Sequence, residues 1–476
     1  MIKSFLKNSF IYTIGTVFTR GIGILLVPIY TRYLTPSEYG VIDLFIILTS
    51  LISLTIALEI HQAVVRFYQD TEDEDEKMKY VSTAFIFTVF VYMIYLIISF
   101  SFSDIFTLWL LDDIKYKSIF LLATFSVFTS GLFYFTSGQL KWQIMPKQLV
   151  TVSIVNVTIV ASITVYLLVI EKMKIESIFI GQIVGNSLCM VLSIYYAQKS
   201  YKMVFVYTKF KELIHFSFPL VFSSVAIFIA LFIDRIAIKY FLGLDELGIY
   251  GLAYRFAAVT SLVMIGFQSS LSPLIYKHYK EKETPKNIVR LFELFWIFMI
   301  SVTAGAILFS KEIIVLMSTK DYYAAVPVIP LLVLAVFFTN MYIFIPGLGV
   351  AKKTKLIAII SIIAAILNTG LNFLLIPMFG IEGAALATLI SAVSIFVVRV
   401  RMSQEYYFIP FRWARTIFSL LIVIIASYLL VDYFNTISLL FISVKILFLF
   451  VVLIAVSLLM IEKEDLKIIT FFKKRE

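Results

Sequence analysis

Apolar runs of about twenty residues, separated by short stretches rich in charge, proline or glycine, follow one another along the whole chain. A helix needs ~20 consecutive apolar residues to cross a bilayer, because in hydrocarbon every backbone group must bond within its own segment. Cutting at the polar punctuation predicts fourteen spans, at 8–31, 41–64, 80–103, 117–138, 148–170, 175–197, 213–238, 249–275, 288–309, 326–348, 355–376, 381–400, 413–432 and 438–461. The expected fold class is an all-α polytopic membrane protein.

The basic residues give the spans a direction. Taking the connections alternately, 28 of the 40 lysines and arginines fall on one side and 8 on the other. Cytoplasmic connections retain positive charge, so both termini are expected in the cytoplasm. A span missed or invented in mid-chain would put this bias out of phase. A shift of 208 residues aligns Leu34, Glu38 and Gly40 in YLTPSEYGVIDL with Leu242, Glu246 and Gly248 in YFLGLDELGIYGL. Residues 1–208 and 209–416 then form two parallel six-span lobes, with 417–476 an appended pair of spans and a cytoplasmic tail.

Composition narrows the class further. The 476 residues are 61% hydrophobic and 15% charged, with a mean hydropathy of +0.98; a soluble domain has roughly 45–50% apolar and about 25% charged residues. A soluble enzyme, a nucleic-acid binder and a disordered chain are excluded. The net charge of +10 is spread in short runs between spans and sets topology instead of forming a nucleic-acid surface. The single cysteine, Cys189, supports neither a disulfide framework nor a thiolate metal cluster. Lys3 and Lys7 precede an apolar run as in a signal peptide, but no small-residue cleavage site follows and Arg20 interrupts the run, so an uncleaved first span is expected. The acidic run Glu72 to Glu76 is expected to be a solvated loop. GLGVAKKT at 347–354 lacks the second glycine of a phosphate-cradling loop, H-E-x-x-H is absent, and His61, His215 and His278 are scattered. No cofactor or metal is expected.

The informative positions are the ionisable groups inside spans, each of which costs about 2.5–3.5 kcal/mol at a helix centre unless it meets water or a partner. Arg20 lies midway between Lys7 and Arg32, on one face with Thr13 and Thr16, too deep to snorkel. It either faces a hydrated cavity or pairs with a carboxylate such as Glu59. Asp234 and Arg235, near the outer end of helix 7, point about 100° apart and so face different neighbours, as cavity groups or as an interfacial pair fixing the helix end. Arg255 on helix 8 is open to the same two readings. Glu59, Gln62 and Arg66 share a face of helix 2, with Arg66 a cytoplasmic anchor and His61 a packed or interfacial histidine. Lys445 is expected to snorkel. Asn368 and Asn372 form an amide face for interhelical bonding or for sugar contact. Gly181 and Gly185 permit close packing, and Pro28, Pro219, Pro346 and Pro377 interrupt or bound helices. Under the 208-residue shift Arg20, Arg235 and Arg255 correspond to Phe228, Val27 and Ile47. An unshared cationic lining on a shared scaffold suits an asymmetric anionic substrate.

Three segments, TRGIGILLVPIYTRYLTPSEYGVIDL (19–44), FPLVFSSVAIFIALFIDRIAIKYFLGLDELGIYGLAYRFA (218–257) and NTGLNFLLIPMFGIEGAALATLIS (368–391), carry a family likeness that extends over essentially the whole chain. The chain resembles the polysaccharide repeat-unit flippases of the multidrug/oligosaccharidyl-lipid/polysaccharide exporter superfamily, bacterial proteins of O-antigen and capsule export. The resemblance implies two six-helix lobes around a central cavity, two extra C-terminal helices, and alternating access to an undecaprenyl-pyrophosphate-linked oligosaccharide in the cytoplasmic membrane. It implies a cationic lumen, matched in residue type and helix by Arg20, Arg235 and Arg255. Expected partners are the lipid-linked glycan and the bilayer, together with polysaccharide polymerase and chain-length machinery, for a protein working as a monomer. The drive is expected from the membrane potential or an ion. The alternatives are a cation-coupled drug antiporter of the same superfamily and a membrane-embedded polymerase; the first wants several central carboxylates and the second a catalytic cluster.

Overall fold

A computed structural model describes residues 15–202, 204–433 and 438–460, with the side chains at 227, 230, 262, 263, 265–270, 272–274, 276, 277 and 354 outside the description. Thr13, Lys3, Lys7 and the tail after 460, with its basic residues, therefore lie outside the described residues. No strand occurs among the described residues. Among the described residues, ten helices are long and apolar enough to cross a membrane, eleven with one bent pair. The chain divides into two units, Met1–Arg235 with Leu242–Gly248, and Ile236–Phe241 with Ile249–Glu476.

The first unit runs through α1 (residues 15–25), α2 (Val27–Tyr33), α3 (Pro36–Thr55), α4 (Ile60–Asp70), α5 (Glu74–Ser101), α6 (Ser103–Leu111), α7 (Lys117–Trp142), α8 (Pro146–Val169), α9 (Ile175–Tyr196) and much of α10 (Tyr207–Leu242). α3 begins at a capping box: the Glu38 N–H donates to Thr35 Oγ1 at 3.3 Å, the Thr35 N–H donates to the Glu38 carboxylate at 2.9 Å, and Pro36 fills the first turn. Lys174 lies 2.8 Å from the same carboxylate, which holds its ammonium above the ordinary lysine pKa. In α9, Gly181 and Gly185 lie against Thr164 and Val160 of α8, where a Cβ would overlap them.

The predicted second span is not one helix. It breaks between α3 and α4, where Leu58 and Glu59 take left-handed backbone conformations (φ 50° and 52°). Tight bonds from Leu58 N–H to Thr55 O and from Ile60 N–H to Ala57 O replace the regular ladder. Such residues cost on the order of 1–3 kcal/mol each unless their surroundings fix them. The acidic run is also not a loop. Asp73 caps α5 by accepting from the Asp75 N–H at 2.9 Å, and Glu74, Asp75 and Glu76 form its first turn, where the helix dipole favours negative charge. Lys79 lies 3.0 Å from Asp75 and 2.9 Å from Glu76, Lys209 lies 2.6 Å from Glu76, and Lys202 pairs with Asp75. The connection into α10 is strapped to α5 as well, through Lys202 N–H to Ser82 Oγ (2.8 Å) and Val206 N–H to Thr83 Oγ1 (3.1 Å).

The second unit continues through α11 (Leu244–His278), α12 (Thr284–Met317), α13 (Val328–Asn340), α14 (Gly347–Val350), α15 (Thr354–Tyr406), α16 (Trp413–Tyr433) and α17 (Leu439–Met460). The predicted tenth span breaks into α13, a 3-10 turn (Met341–Phe344) and α14 around Pro346. Pro219 lies inside α10, whose halves, Tyr207–Ala226 and Leu231–Leu242, meet at 54°. α15 contains two predicted spans joined at Gly380 (φ 60°, ψ −141°), a conformation that glycine alone adopts cheaply. The bend falls three residues after Pro377. The α16–α17 hairpin packs on α12: the Trp296 indole N–H donates to Ser419 Oγ at 3.0 Å, and Arg412 lies 3.4 Å from the buried Glu293. Lys445 does not snorkel. It is 2% exposed and paired with Glu312, near the C-terminal end of α12, because a carboxylate within reach costs less than stretching to the interface.

Two glycines meet backbone directly. Gly40 lies so close to the Leu244 carbonyl, and Gly248 to the Pro36 carbonyl, that a Cβ on either would overlap it. Positions 36 and 244, like 40 and 248, are partners under the 208-residue shift, so the contact is reciprocal. Gly40→Ala should therefore lower the melting midpoint in detergent by the equivalent of about 1–3 kcal/mol of overpacking. Gly370→Ala, with nothing within 4 Å of its Cβ, should not lower it. Equal midpoints for the two variants would rule out a tight contact at Gly40.

Candidate functional site

Buried charge in the first unit gathers at two places. In the first, Arg235 near the end of α10 reaches Asp43 on α3, with Nε 3.2 Å from Oδ2, both residues nearly inaccessible. The Arg235 guanidinium also lies 5.3 Å from the centre of the Phe232 ring, one turn earlier. The neighbouring Asp234 is buried and accepts a 2.8 Å bond from the Arg235 backbone N–H. The guanidinium is thus met by Asp43, while Asp234 bonds the main chain beside it. Asp43 is the partner of Arg235 that the sequence reading did not identify.

The second place is the break between α3 and α4. Its left-handed backbone turns Glu59 inward, to 2% exposure. The Ser224 hydroxyl on α10 donates to Glu59 Oε1, and His61 Nε2 lies 3.4 Å from Oε2. Tyr134 Oη on α7 lies 3.2 Å from His61 Nε2, with the rings edge to face at 5.1 Å. His61 is therefore packed, as expected, but packed against a carboxylate. Gln62 does not join this cluster: it is exposed, while Arg66 pairs with Asp70 at 2.9 Å one turn on. With Glu59 outside the helix, the three no longer share one continuous helical face.

Arg20 lies exposed on α1, with the half-buried Thr16 one turn before it. The Thr19 hydroxyl donates to the Gly15 and Thr16 carbonyls at 3.0 and 3.1 Å. In the second unit, Arg255 on α11 is half-buried. Asn368 and Asn372 are buried and bonded locally: the Asn372 amide donates to Asn368 O (2.9 Å) and Oδ1 (3.0 Å), and Asn368 Nδ2 donates to Ser391 Oγ (3.4 Å). Asp43, Ser224 and Tyr134 escaped the sequence reading. The signal for Asp43 was present, since it is a carboxylate inside the predicted span 41–64. No group of three or more histidine, cysteine or carboxylate side chains suited to a metal ion occurs among the described residues.

Helices of spanning length, several of them broken or bent at defined points and crossed by buried ion pairs, mark a multi-pass membrane protein of the transporter type. The sequence profile of the polysaccharide biosynthesis proteins matches residues 5–279, more than half of the chain, and the protein belongs to that family. The MatE profile matches residues 219–374. The fold is similar to that of the lipid II flippase MurJ in an inward closed conformation, with a TM-score of 0.72 and 19% identity over 94% of this chain and 97% of that one. It is similar also to an inward-facing multidrug resistance MATE family transporter of the MOP superfamily, with a TM-score of 0.64 and 13% identity over 82% of this chain and 94% of that one. In sequence it is 24% identical over 209 residues to the probable low-salt glycan biosynthesis flippase Agl15 of Haloferax volcanii. That match spans 43% of this chain and 44% of the relative, less than half of each.

Asp43→Ala would leave Arg235 buried without that carboxylate, a loss of about 3–5 kcal/mol for a broken buried pair. The double variant Asp43→Leu with Arg235→Leu should recover most of the stability. A double-mutant cycle on the detergent melting midpoint checks this; additive losses would mean that the two side chains do not interact.

Proposed function

We propose that the protein is a flippase that carries an undecaprenyl-pyrophosphate-linked oligosaccharide repeat unit from the inner to the outer leaflet of the bacterial cytoplasmic membrane, for surface polysaccharide synthesis. Membership of the polysaccharide biosynthesis family, the fold shared with MOP-superfamily transporters, and the flippase names of two similar proteins support the class. The observation that carries the substrate is Arg20. An exposed guanidinium in the middle of a predicted span is accessible to an anion passing through the membrane. A pyrophosphate offers oxygens for bidentate bonding, and arginine holds its proton throughout.

In this scheme residues 1–208 and 209–416 are lobes that alternate access, and 417–476 is an appended hairpin and tail. Arg20 and Arg255 contact the pyrophosphate. Arg235 stands beside the path with its charge met by Asp43, and Asp234, Glu59 and Gln62 shape the polar surface around it. Asn368 and Asn372 complete the polar lining on the second lobe. Both termini are cytoplasmic, the monomer is the working unit, and polymerase and chain-length machinery take up the product. Each negative charge carried outward gains about 2.3 kcal/mol per 100 mV with the cytoplasm negative, so the membrane potential can supply drive without a cofactor. The buried Glu59 and the MatE match favour a second reading, a cation-coupled antiporter for small molecules.

Arg20→Ala should insert at wild-type level yet abolish surface polysaccharide when it replaces the chromosomal copy, with the lipid-linked glycan accumulating at the inner leaflet. Arg20→Lys should retain part of the export. Full export by the alanine variant would remove Arg20 from the path. In proteoliposomes, clamping the potential to zero should slow flipping; an unchanged rate would exclude the potential as a driver, and movement of organic cations without lipid-linked glycan would select the antiporter.

A further inference from the structure

The first unit contains a polar cavity that the path proposed above does not use. It measures about 350 Å³ and lies among α3, α7, α8 and α9, with the exposed Ile46 at its edge. Its polar lining is neutral throughout: Thr49 and Ser50 of α3, whose hydroxyls bond their own helix, and Ser126, Ser130, Asn156, Gln182 and Asn186, which face one another. They bond in two short chains: the Ser126 hydroxyl donates to Gln182 Oε1 at 2.6 Å, while the Asn156 amide donates to Asn186 Oδ1 at 3.0 Å and the Asn186 amide to Ser130 Oγ at 2.7 Å. The Gln182 amide nitrogen makes no hydrogen bond among the described residues, which leaves two N–H donors for an occupant.

Amides and hydroxyls inside a membrane-spanning lobe are retained where they meet one another, water or a ligand. Packing alone does not account for this set. Under the 208-residue shift Ser126, Ser130, Asn156 and Gln182 correspond to the apolar Leu334, Phe338, Ala364 and Ile390, and Asn186 to Ser394, so the second half keeps one polar position of the five. The remaining wall adds two aromatic rings, Phe45 and Phe179, edge to face at 5.3 Å. Neutral amides and hydroxyls beside ring faces match a pyranose, whose hydroxyls donate and accept and whose C–H face is apolar. No charged residue lines the cavity, so a phosphate has no counter-ion there. Its volume lies at the small end of the ~300–1,000 Å³ typical of ligand pockets, which suits one sugar residue.

We propose that this cavity is a subsite for a neutral sugar residue of the transported glycan, an inference that rests on the flippase reading. The test uses the full chain in proteoliposomes and compares a lipid-linked glycan with the same lipid shortened to its first sugar. Wild type should move the longer substrate faster, and Gln182→Ala and Ser130→Ala should each reduce that preference about tenfold, as expected when a polar contact to a hydroxyl is lost. A second readout does not depend on transport. The thiol introduced by Ser130→Cys, in a Cys189→Ala background, is labelled with a small thiosulfonate reagent. Free glucose, galactose or N-acetylglucosamine at tens of millimolar should slow the labelling, whereas sodium phosphate should not. Protection without movement of either lipid would keep the sugar site and remove the flippase reading. Movement of both lipids with no protection and an unchanged preference would overturn the subsite and leave the flippase reading standing.

Discussion

Charge survives in hydrocarbon only where it is paired or wetted, and that constraint arranges much of this molecule. Apolar contact orients helices weakly in a bilayer, because lipid tails are as apolar as leucine. Buried ion pairs and a charge-assisted hydrogen bond do it instead. Asp43 with Arg235 ties α3 to α10, and Glu59 with Ser224 ties the broken second span to the same helix. In the second unit, Glu293 with Arg412 and Glu312 with Lys445 anchor the α16–α17 hairpin to α12. Each bond joins elements distant in sequence, so each acts as a positional pin as well as a neutralised charge.

The same constraint separates two chemistries along the first unit. Charged groups collect at α10 and at the break before α4, whereas the cavity among α3, α7, α8 and α9 is polar without charge. At the first, charge is met by charge, Arg235 against Asp43; at the second, amides and hydroxyls donate and accept without competing by charge.

The all-helical, multi-pass class was legible in the sequence because apolar length and basic punctuation are local properties of the chain. The small-residue contact at Gly181 and Gly185 was legible for the same reason. What escaped depends on partners far away. Lys445 read as snorkelling because Glu312 lies 133 residues before it and beyond the predicted end of its own span. The acidic run read as a loop because its counter-charges, Lys202 and Lys209, arrive from a connection more than a hundred residues later. The break at Leu58 and Glu59 carries neither proline nor glycine, the usual marks of an interruption. Its cause is tertiary: Ser224, His61 and Tyr134 gather around the inward-turned carboxylate. Asp43 was a different kind of omission, a carboxylate in plain view within a span and passed over beside more central arginines.

The reciprocal contact of Gly40 and Gly248 has an evolutionary consequence. Each glycine faces a carbonyl of the other helix, at Leu244 and Pro36, and carbonyls are common to every amino acid. A side chain gained at one glycine therefore cannot be accommodated by trimming its neighbour, as two core residues can trade volume. The two positions are each held to glycine by main chain, without informing one another. Among descendants of this sequence they should stay fixed independently, and pairwise covariation, which needs both partners to vary, would pass over one of the tightest contacts in the molecule.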